Sequence, residues 1–220
     1  MSGVPDPASS PRVRRLLAAV LALVALAVAG CGNAADTSPV AGLQSSDDHG
    51  YHGSYLDAPY LVPDISLPDS QGRQYSLAKA PAPLKIVFFG YTNCPDICQV
   101  VMSTIATAVA RLDARQRDQV QVVFVTTDPA RDTGPVLRTY LDRLNPAFVG
   151  VTGSLKRIID LARPMKVYVA KGQKLPSGGY EVDHSTYVFG VTGNQTRLVW
   201  TQGTSPAAMA ADIIKLLKSA

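Results

Sequence analysis

The sequence predicts an α/β domain with a mixed central sheet and helices on both of its faces. Two stretches, LKIVFFG at 84–90 and VQVVFVTT at 120–127, are almost continuously apolar, as strands buried on both faces are. Between and after them, apolar residues recur at helical spacing. Alternating strands and helices favour a sheet that is parallel at its centre. A tight Gly193-Asn194 turn between the last two strands predicts a closing antiparallel hairpin, which makes the sheet mixed.

The first half of the domain adds a strand pair and three helices to this outline. LVPDISLPDSQGRQYSL at 61–77 predicts two short strands around an Asp-Ser-Gln-Gly turn. The second helix has Asp132 or Thr133 as a candidate cap, and the third begins at Ser154. The apolar stripes that predict the three helices are Ile97, Val101, Ile105, Ala108 and Leu112; Val136, Leu137, Tyr140, Leu141 and Leu144; and Leu155, Ile158, Ile159 and Leu161.

The second half supplies more strands and a last helix. A helix beginning at Ser205-Pro206, a cap followed by proline in the first turn, closes the chain with Met209, Ile213, Leu216 and Leu217 on its apolar face. This order of elements is the outline of a thioredoxin-like fold, and in such sheets the ligand site lies beyond the carboxyl ends of the central strands. The remaining predicted strands are FVGV at 148–151, KVYVA at 166–170, TYVFGVT at 186–192 and RLVW at 197–200.

Residues 1–30 have the features of an export signal. RVRR at 12–15 is basic, and the apolar run LLAAVLALVALAVAG that follows is 15 residues long. That is shorter than the roughly 20 residues of a membrane-spanning helix, although an uncleaved, tilted anchor is the alternative. Val28-Ala29-Gly30-Cys31 resembles the lipobox of bacterial lipoproteins. This resemblance implies cleavage before Cys31, lipid on its sulfur, and a mature chain anchored to the extracytoplasmic face of the cell membrane.

The mature chain is predicted to be a tether followed by one domain. Residues 31–55 are rich in small and polar residues, which predicts a flexible tether, and residues 56–220 suffice for a single core. The formal net charge is +4, and removing the three arginines and one aspartate of residues 1–30 lowers it to +2. No basic cluster is interleaved with aromatic residues, so we expect no binding to nucleic acid.

Cys94 and Cys98 are the only cysteines of the predicted domain. Pro95 suits the first turn of a helix, so Cys94 would cap that helix or precede it, and Cys98 would lie one turn in. Residues four apart share a helix face, so both sulfurs can point into the same space, and the helix N-terminus favours thiolate at Cys94. On spacing alone, an inert disulfide or two buried thiols remain as good an interpretation as a reactive pair.

His184, in EVDHSTYVFG, is the one histidine outside the predicted tether. In a thioredoxin-like fold this loop lies beside the cysteine turn, although a loop histidine bonded to nearby backbone is the alternative. Two thiolates and an imidazole would make a three-coordinate site, in which sulfur selects Cu(I) and nitrogen also allows Cu(II). Zinc prefers four protein ligands, and the sequence offers no fourth candidate. Asp183, if it is not simply solvated, is a candidate to orient the imidazole.

Four stretches, FFGYTNCPDIC, FVTTDPARDTGPVLRTYL, NPAFVGVTG and DHSTYVFGV, resemble the Sco/SenC family of copper chaperones in order and spacing, over residues 56–218. The resemblance implies a thioredoxin-like fold and copper held by Cys94, Cys98 and His184. It further implies a metallochaperone for the CuA centre of cytochrome c oxidase. Its partners would be the CuA-bearing subunit and other copper chaperones or thiol reductants. Asp128, in the DPARDT stretch, is implied to lie near the site.

Two other functions fit the same residues. One is an extracytoplasmic thiol–disulfide oxidoreductase whose Cys94–Cys98 pair forms a redox disulfide and cycles without metal. The other is a structural lipoprotein domain with an inert disulfide. A copper site needs His184 and a dithiol reductase does not, so this residue separates the first two functions. His49 and His52 are interpreted as tether residues outside the site.

Overall fold

The structure, a computed structural model, describes residues 49–174 and 180–219, and at 171–174, 180–181 and 183–184 it describes the backbone only. The strands in the described part are β1 (Ser54–Leu61), β2 (Ser66–Pro68), β3 (Gln74–Ser76), β4 (Leu84–Gly90), β5 (Val120–Thr126), β6 (Val149–Val151), β7 (Val169–Lys174), β8 (Tyr180–His184), β9 (Val188–Thr192) and β10 (Gln195–Trp200). The α-helices there are α1 (Ile97–Ala110), α2 (Ala114–Arg117), α3 (Gly134–Asp142), α4 (Leu155–Ala162) and α5 (Pro206–Ser219).

Six strands form the central sheet, in the order β1-β10-β9-β4-β5-β6. β4 is parallel to β5, and β5 to β6, whereas the other pairs are antiparallel, so the predicted mixed sheet is confirmed. Gly90 at the end of β4 pairs with Thr126 at the end of β5. The loops that follow these two strands therefore meet at the same edge of the sheet, where the sequence predicts the site. Two further hairpins, β2–β3 and β7–β8, lie outside this sheet.

The core lies on both faces of β4, in which every residue is buried. Successive side chains of a strand point to opposite faces, so Leu84, Ile86 and Phe88 face one layer and Val87 and Phe89 the other. The first three belong to one apolar cluster with residues of α1, α3 and α5. The Phe89 ring lies 6.3 Å from that of Phe189. The helical members of the first layer include Val101, Met102, Ile105, Leu137, Leu141, Met209 and Ile213, whereas Ile158 and Leu161 of α4 are buried outside it.

The N-terminal part of the described domain differs from the sequence prediction. β1 was not predicted, and Ser54, its first residue, lies within the predicted tether, 31–55. Tyr51 is buried, and the Asp212 carboxylate accepts 2.9 Å hydrogen bonds from the amides of His52 and Gly53 and a 2.8 Å bond from Trp200 Nε1. Composition alone could not predict that this segment is part of the domain, because the carboxylate that accepts its hydrogen bonds lies about 160 residues away in the chain. Residues 1–48 lie outside the described part of the chain, so the signal and most of the tether stay predictions.

Two strands also differ from prediction. The strand predicted over 166–170 begins only at Val169, because Lys166 has a left-handed φ of 60° that no strand accommodates. β8 was not predicted, and it pairs antiparallel with β7. The predicted hairpin around Gly193 is confirmed, with Thr192 paired to Gln195. In the described residues, we find no helix with the length and apolarity needed to cross a membrane.

Candidate metal centre

The cysteine turn connects β4 to α1 at the site edge of the sheet. α1 begins at Ile97, two residues later than Pro95, because Asp96 has φ −136° and ψ −88°, which is not helical. Cys94 therefore precedes the helix, which is one of its two predicted placements, and Cys98 lies within the first turn. The expectation that Pro95 lies in the first turn is wrong, because Pro95 comes before the helix. The amide of Cys98 donates a hydrogen bond to Cys94 Sγ over 3.4 Å. The sulfur of Cys94 thus takes the place of a capping oxygen and lies against the backbone of Cys98.

Glycine at position 90 lets the Cys98 sulfur approach the sheet. A Cβ atom on Gly90 would lie 2.7 Å from Phe88 Cε1 and 3.2 Å from both Cys98 Sγ and Phe124 Cε2. Contacts this short would force the ring or the sulfur to move. Cys98 is accordingly buried, with 1% of its surface exposed, whereas Cys94 is half-buried. One sulfur is thus held against the core while the other lies nearer the solvent.

Asp132 joins the cysteine loop to the end of β5, and sequence reasoning missed this role. One carboxylate oxygen accepts from the amide of Thr92 (2.9 Å) and the hydroxyl of Thr126 (2.6 Å), and the other from the Thr92 hydroxyl (2.6 Å). Asp132 is fully buried, and burial raises its pKa against the opposing effect of these hydrogen bonds. Of the two residues that the sequence suggested as the cap of α3, Thr133 occupies the N-cap position, without a side-chain bond, and Asp132 does not. The only signal of this role in the sequence was an aspartate that follows closely after a predicted central strand.

Asp128 lies on the same loop but contacts different groups. It forms an ion pair with Arg131, whose guanidinium lies 5.7 Å from the centre of the Tyr91 ring. Its amide donates to Thr126 Oγ1 over 2.9 Å. Asp128 also lines a cavity of about 200 Å³ together with Ala170 of β7 and Val182 of β8. The structure therefore places Asp128 between the cysteine edge and the hairpin that carries His184.

His184 and Asp183 lie at the end of β8, and their side chains are outside the described part of the structure. Their backbones pair with Val169 and Ala170 of β7. Val182, two residues before His184, is buried in the apolar cluster that also contains Cys98. The β7–β8 hairpin that carries His184 is therefore anchored in the same core as the cysteine turn. Whether the imidazole completes a metal site stays a prediction.

No three His, Cys, Asp or Glu side chains form a metal-binding group among the residues whose side chains are described, and His184 is not one of these. His49 is engaged elsewhere, since its Nε2 lies 3.0 Å from Asp57 Oδ1. Cys31, the predicted lipidation site, is outside the described residues.

Beside the cysteine turn, a groove of about 370 Å³ separates α1 from α3. Its lining includes Asn93, Gln99 and Tyr140.

A comparison with known protein families shows which family this chain belongs to. The SCO1/SenC family model matches residues 54–218. The chain belongs to the SCO1/SenC family. Among the relatives of this SCO1/SenC protein is a putative copper-binding protein of Stutzerimonas stutzeri, 34% identical over 124 residues, or 56% of this chain and 60% of the relative. The chain spans between 42% and 60% of the length of three of the curated relatives it matches.

Solved structures confirm the thioredoxin-like fold of this SCO1/SenC domain. Apo Sco1 from Thermus thermophilus is 29% identical, with a TM-score of 0.66 over 80% of this chain and 100% of that one. Yeast Sco1 with copper bound is 26% identical, with a TM-score of 0.67 over 74% of this chain and 91% of that one. The predicted fold class and the family resemblance are therefore both confirmed.

The electrostatics of the SCO1/SenC cysteine turn differ between its two sulfurs. Hydrogen bonding to the Cys94 side chain, and secondly burial, raise the pKa of the Cys98 thiol far above its ordinary value. A metal ion that binds this sulfur must displace its proton, because the thiolate is the metal ligand. The turn therefore offers two sulfur donors from adjacent positions, which suits a soft metal ion better than a hard one.

Proposed function

We propose that this protein binds copper through Cys94, Cys98 and His184 and delivers it during assembly of the CuA centre of cytochrome c oxidase. It acts as a metallochaperone, with copper as its cargo. The observation that carries the proposal is the position of both cysteine sulfurs on one turn of a SCO1/SenC domain, linked by the Cys98 amide.

The donor set supports copper over harder metals. Two thiolates favour Cu(I), and one imidazole added to them also permits Cu(II). Asp183, next to His184, is proposed to orient the imidazole, while Asp128 supports the loop beneath the hairpin. The copper-binding name of the Stutzerimonas relative and the copper-bound structure of yeast Sco1 support the same cargo.

The proposed location is the extracytoplasmic face of the cell membrane. Lipid on Cys31 would hold the chain there through the tether, as the lipobox-like sequence before this residue suggests. The partners proposed from the family resemblance are the CuA-bearing oxidase subunit and the chaperones or thiol reductants that load or reduce the site.

Copper titration of the reduced protein tests the ligand set. Purified wild-type protein would compete anaerobically with a chromophoric Cu(I) chelator, beside Cys94→Ser, Cys98→Ser and His184→Ala. We expect each ligand variant to weaken Cu(I) binding by more than about a hundredfold, beyond the effect of losing an orienting partner. His52→Ala is the matched control, because His52 belongs to the N-terminal segment, and it should bind as the wild type does. Equal affinity in wild type and His184→Ala would refute the three-ligand site.

A deletion strain tests delivery to the oxidase. We expect its membranes to lose the CuA absorbance while haem absorbance persists, and added copper to restore part of the signal. Complementation with Cys31→Ser tests the anchor, because this variant should be released from the membrane fraction. Unchanged CuA content in the deletion strain would refute the chaperone role.

Thiol–disulfide exchange is the second candidate function. The short distance from the Cys98 amide to the Cys94 sulfur favours it, since neighbouring thiols on one turn can form a disulfide if the turn relaxes. The reduction potential of the pair tests this function. A potential close to that of extracytoplasmic reductants, together with full activity of His184→Ala in disulfide reduction, would support exchange without copper. A potential too low for such reductants to reach would make the disulfide structural only.

A further inference from the structure

Tyr140 carries a buried hydroxyl that the architecture of α3 leaves without an acceptor. Only 8% of the residue is exposed, and its hydroxyl makes no hydrogen bond to any described residue. Native proteins rarely leave a buried hydroxyl in this state, because the lost water contacts are not replaced. We therefore expect the Tyr140 hydroxyl to gain an acceptor in another state of the protein.

The geometry places Tyr140 beside the cysteine turn. The Tyr140 ring lies 5.4 Å from the ring of Phe124, and both Phe124 Cε2 and Cys98 Sγ lie 3.2 Å from the position that a Cβ on Gly90 would take. Tyr140 also lines the groove that Asn93 and Gln99, the residues next to the two cysteines, line from the other side. After burial, the negative charges of Cys98 and Cys94 are the largest causes that raise the Tyr140 pKa. All of these observations place Tyr140 close to the sulfurs.

The chemistry of sulfur explains why the hydroxyl would gain an acceptor only when a metal binds. A neutral thiol is a weak hydrogen-bond acceptor, whereas a metal-bound sulfur is a thiolate and carries negative charge. We propose that Tyr140 is a positioning residue whose hydroxyl donates a hydrogen bond to the Cys98 sulfur in the copper-bound protein. This role rests on the proposed copper-binding function. In this role Tyr140 does not contact copper but forms a hydrogen bond with one of the copper ligands, Cys98.

The bond would change the properties of the bound copper in a defined direction. A hydrogen bond to a coordinating thiolate withdraws electron density from the sulfur, and such bonds tune the potential of copper–thiolate sites. A weaker sulfur donor stabilises Cu(I) relative to Cu(II), so the copper potential is higher with the hydroxyl than without it. Because the same bond also favours the thiolate over the thiol, the proton competes less with copper, and Cu(I) binding is stronger with the hydroxyl than without it.

Tyr140→Phe tests the role, because it removes the hydroxyl and keeps the ring on Phe124. Tyr75→Phe is the matched control: it removes a hydroxyl bonded over 2.8 Å to Gln121, near the start of β5 and so at the opposite end of the sheet. We expect Tyr140→Phe to weaken Cu(I) binding by about ten- to a hundredfold, the effect of one hydrogen bond to a charged group. The sulfur-to-copper charge-transfer absorption of the Cu(II) form should move to lower energy, and the copper potential should fall. Tyr75→Phe should change none of these.

The metal-free protein gives the readout that separates this role from a structural one. Because the hydroxyl has no acceptor there, Tyr140→Phe should leave thermal unfolding of the metal-free protein unchanged or raise its midpoint. A clear loss of metal-free stability would mean that the hydroxyl has a structural partner, and would overturn the proposal. Copper binding and absorption equal to wild type in Tyr140→Phe would also overturn it, with the proposed function intact. A wild-type protein that binds no copper would refute the proposed function and this role together.

Discussion

The amide of Cys98 donates its hydrogen bond to the sulfur of Cys94, over 3.4 Å, at the point where α1 begins. The three residues between the cysteines thus make a turn that closes on sulfur, since Asp96, at the N-cap position, supplies no side-chain bond. Cys94 therefore has two roles in this SCO1/SenC protein. It is a proposed copper ligand, and it caps the helix that carries the second ligand.

The capping role predicts that Cys94→Ser and Cys94→Ala differ in stability although both lose copper. Serine can accept the Cys98 amide through its hydroxyl, whereas alanine leaves that amide unsatisfied. We expect the free energy of unfolding of Cys94→Ala to lie about 0.5–2 kcal/mol below that of Cys94→Ser, as at other helix N-caps. Urea unfolding of the reduced, metal-free proteins measures the difference. Equal stability would show that the sulfur does not serve as a cap.

Gly90→Ala is predicted to displace the Cys98 sulfur. The new methyl group would lie 2.7 Å from Phe88 Cε1 and 3.2 Å from Cys98 Sγ, in a core without room to relax. We expect a loss of about 1–3 kcal/mol in the free energy of unfolding, together with weaker Cu(I) binding. Gly203→Ala is the matched control, since its nearest neighbour would be Thr201 Oγ1 at 3.9 Å. Wild-type copper affinity in Gly90→Ala would contradict a tight fit around the sulfur.

Asp69 predicts an acid-sensitive contribution to stability far from the cysteines in sequence. Burial opposes its ionisation, but hydrogen bonds from Arg73 and Gln71 outweigh burial and lower its pKa. A carboxylate with a lowered folded-state pKa stabilises the protein fully above its unfolded pKa of about 3.9, and this is lost as the pH falls through the folded-state value. Unfolding free energies at pH 7 and pH 3 should therefore differ less in Asp69→Asn than in wild type. An identical pH dependence would contradict the assignment.

Repeating this pH experiment at high salt separates the contribution of Asp69 from that of exposed ion pairs. The exposed Lys156–Asp160 pair also lowers the pKa of its carboxyl group, but 1 M salt screens charges beyond about 3 Å. The contribution of Asp69 should persist there, because its carboxylate is buried and two of its three hydrogen bonds come from backbone amides.

The sequence was sufficient for the sheet centre and the cysteine turn, for identifiable physical reasons. β4 is apolar at almost every position, and the apolar residues of α1 recur at helical spacing, so local pattern and final environment agree. The pattern could not reveal β1, an edge strand with mixed burial whose place depends on pairing with β10 and on Asp212. It could not reveal the buried hydroxyl of Tyr140 either, because periodicity assigns that residue to the core without indicating which of its atoms lack partners.

Asp132→Ala is predicted to loosen the cysteine loop more than any exposed carboxylate substitution would. The buried carboxylate holds Thr92, two residues before Cys94, and Thr126 at the end of β5. Its removal leaves an amide and two hydroxyls without their acceptor, at about 1 kcal/mol each, so we expect the free energy of unfolding to fall by about 2–4 kcal/mol. Asp142→Ala is the matched control: it breaks only a half-exposed pair with Arg138, and such pairs contribute about 0–1 kcal/mol. Hydrogen exchange should locate the difference, with faster exchange of the Thr92 amide in Asp132→Ala alone. Unchanged exchange at Thr92, even with reduced stability, would show that this carboxylate supports the core but does not position the cysteine turn.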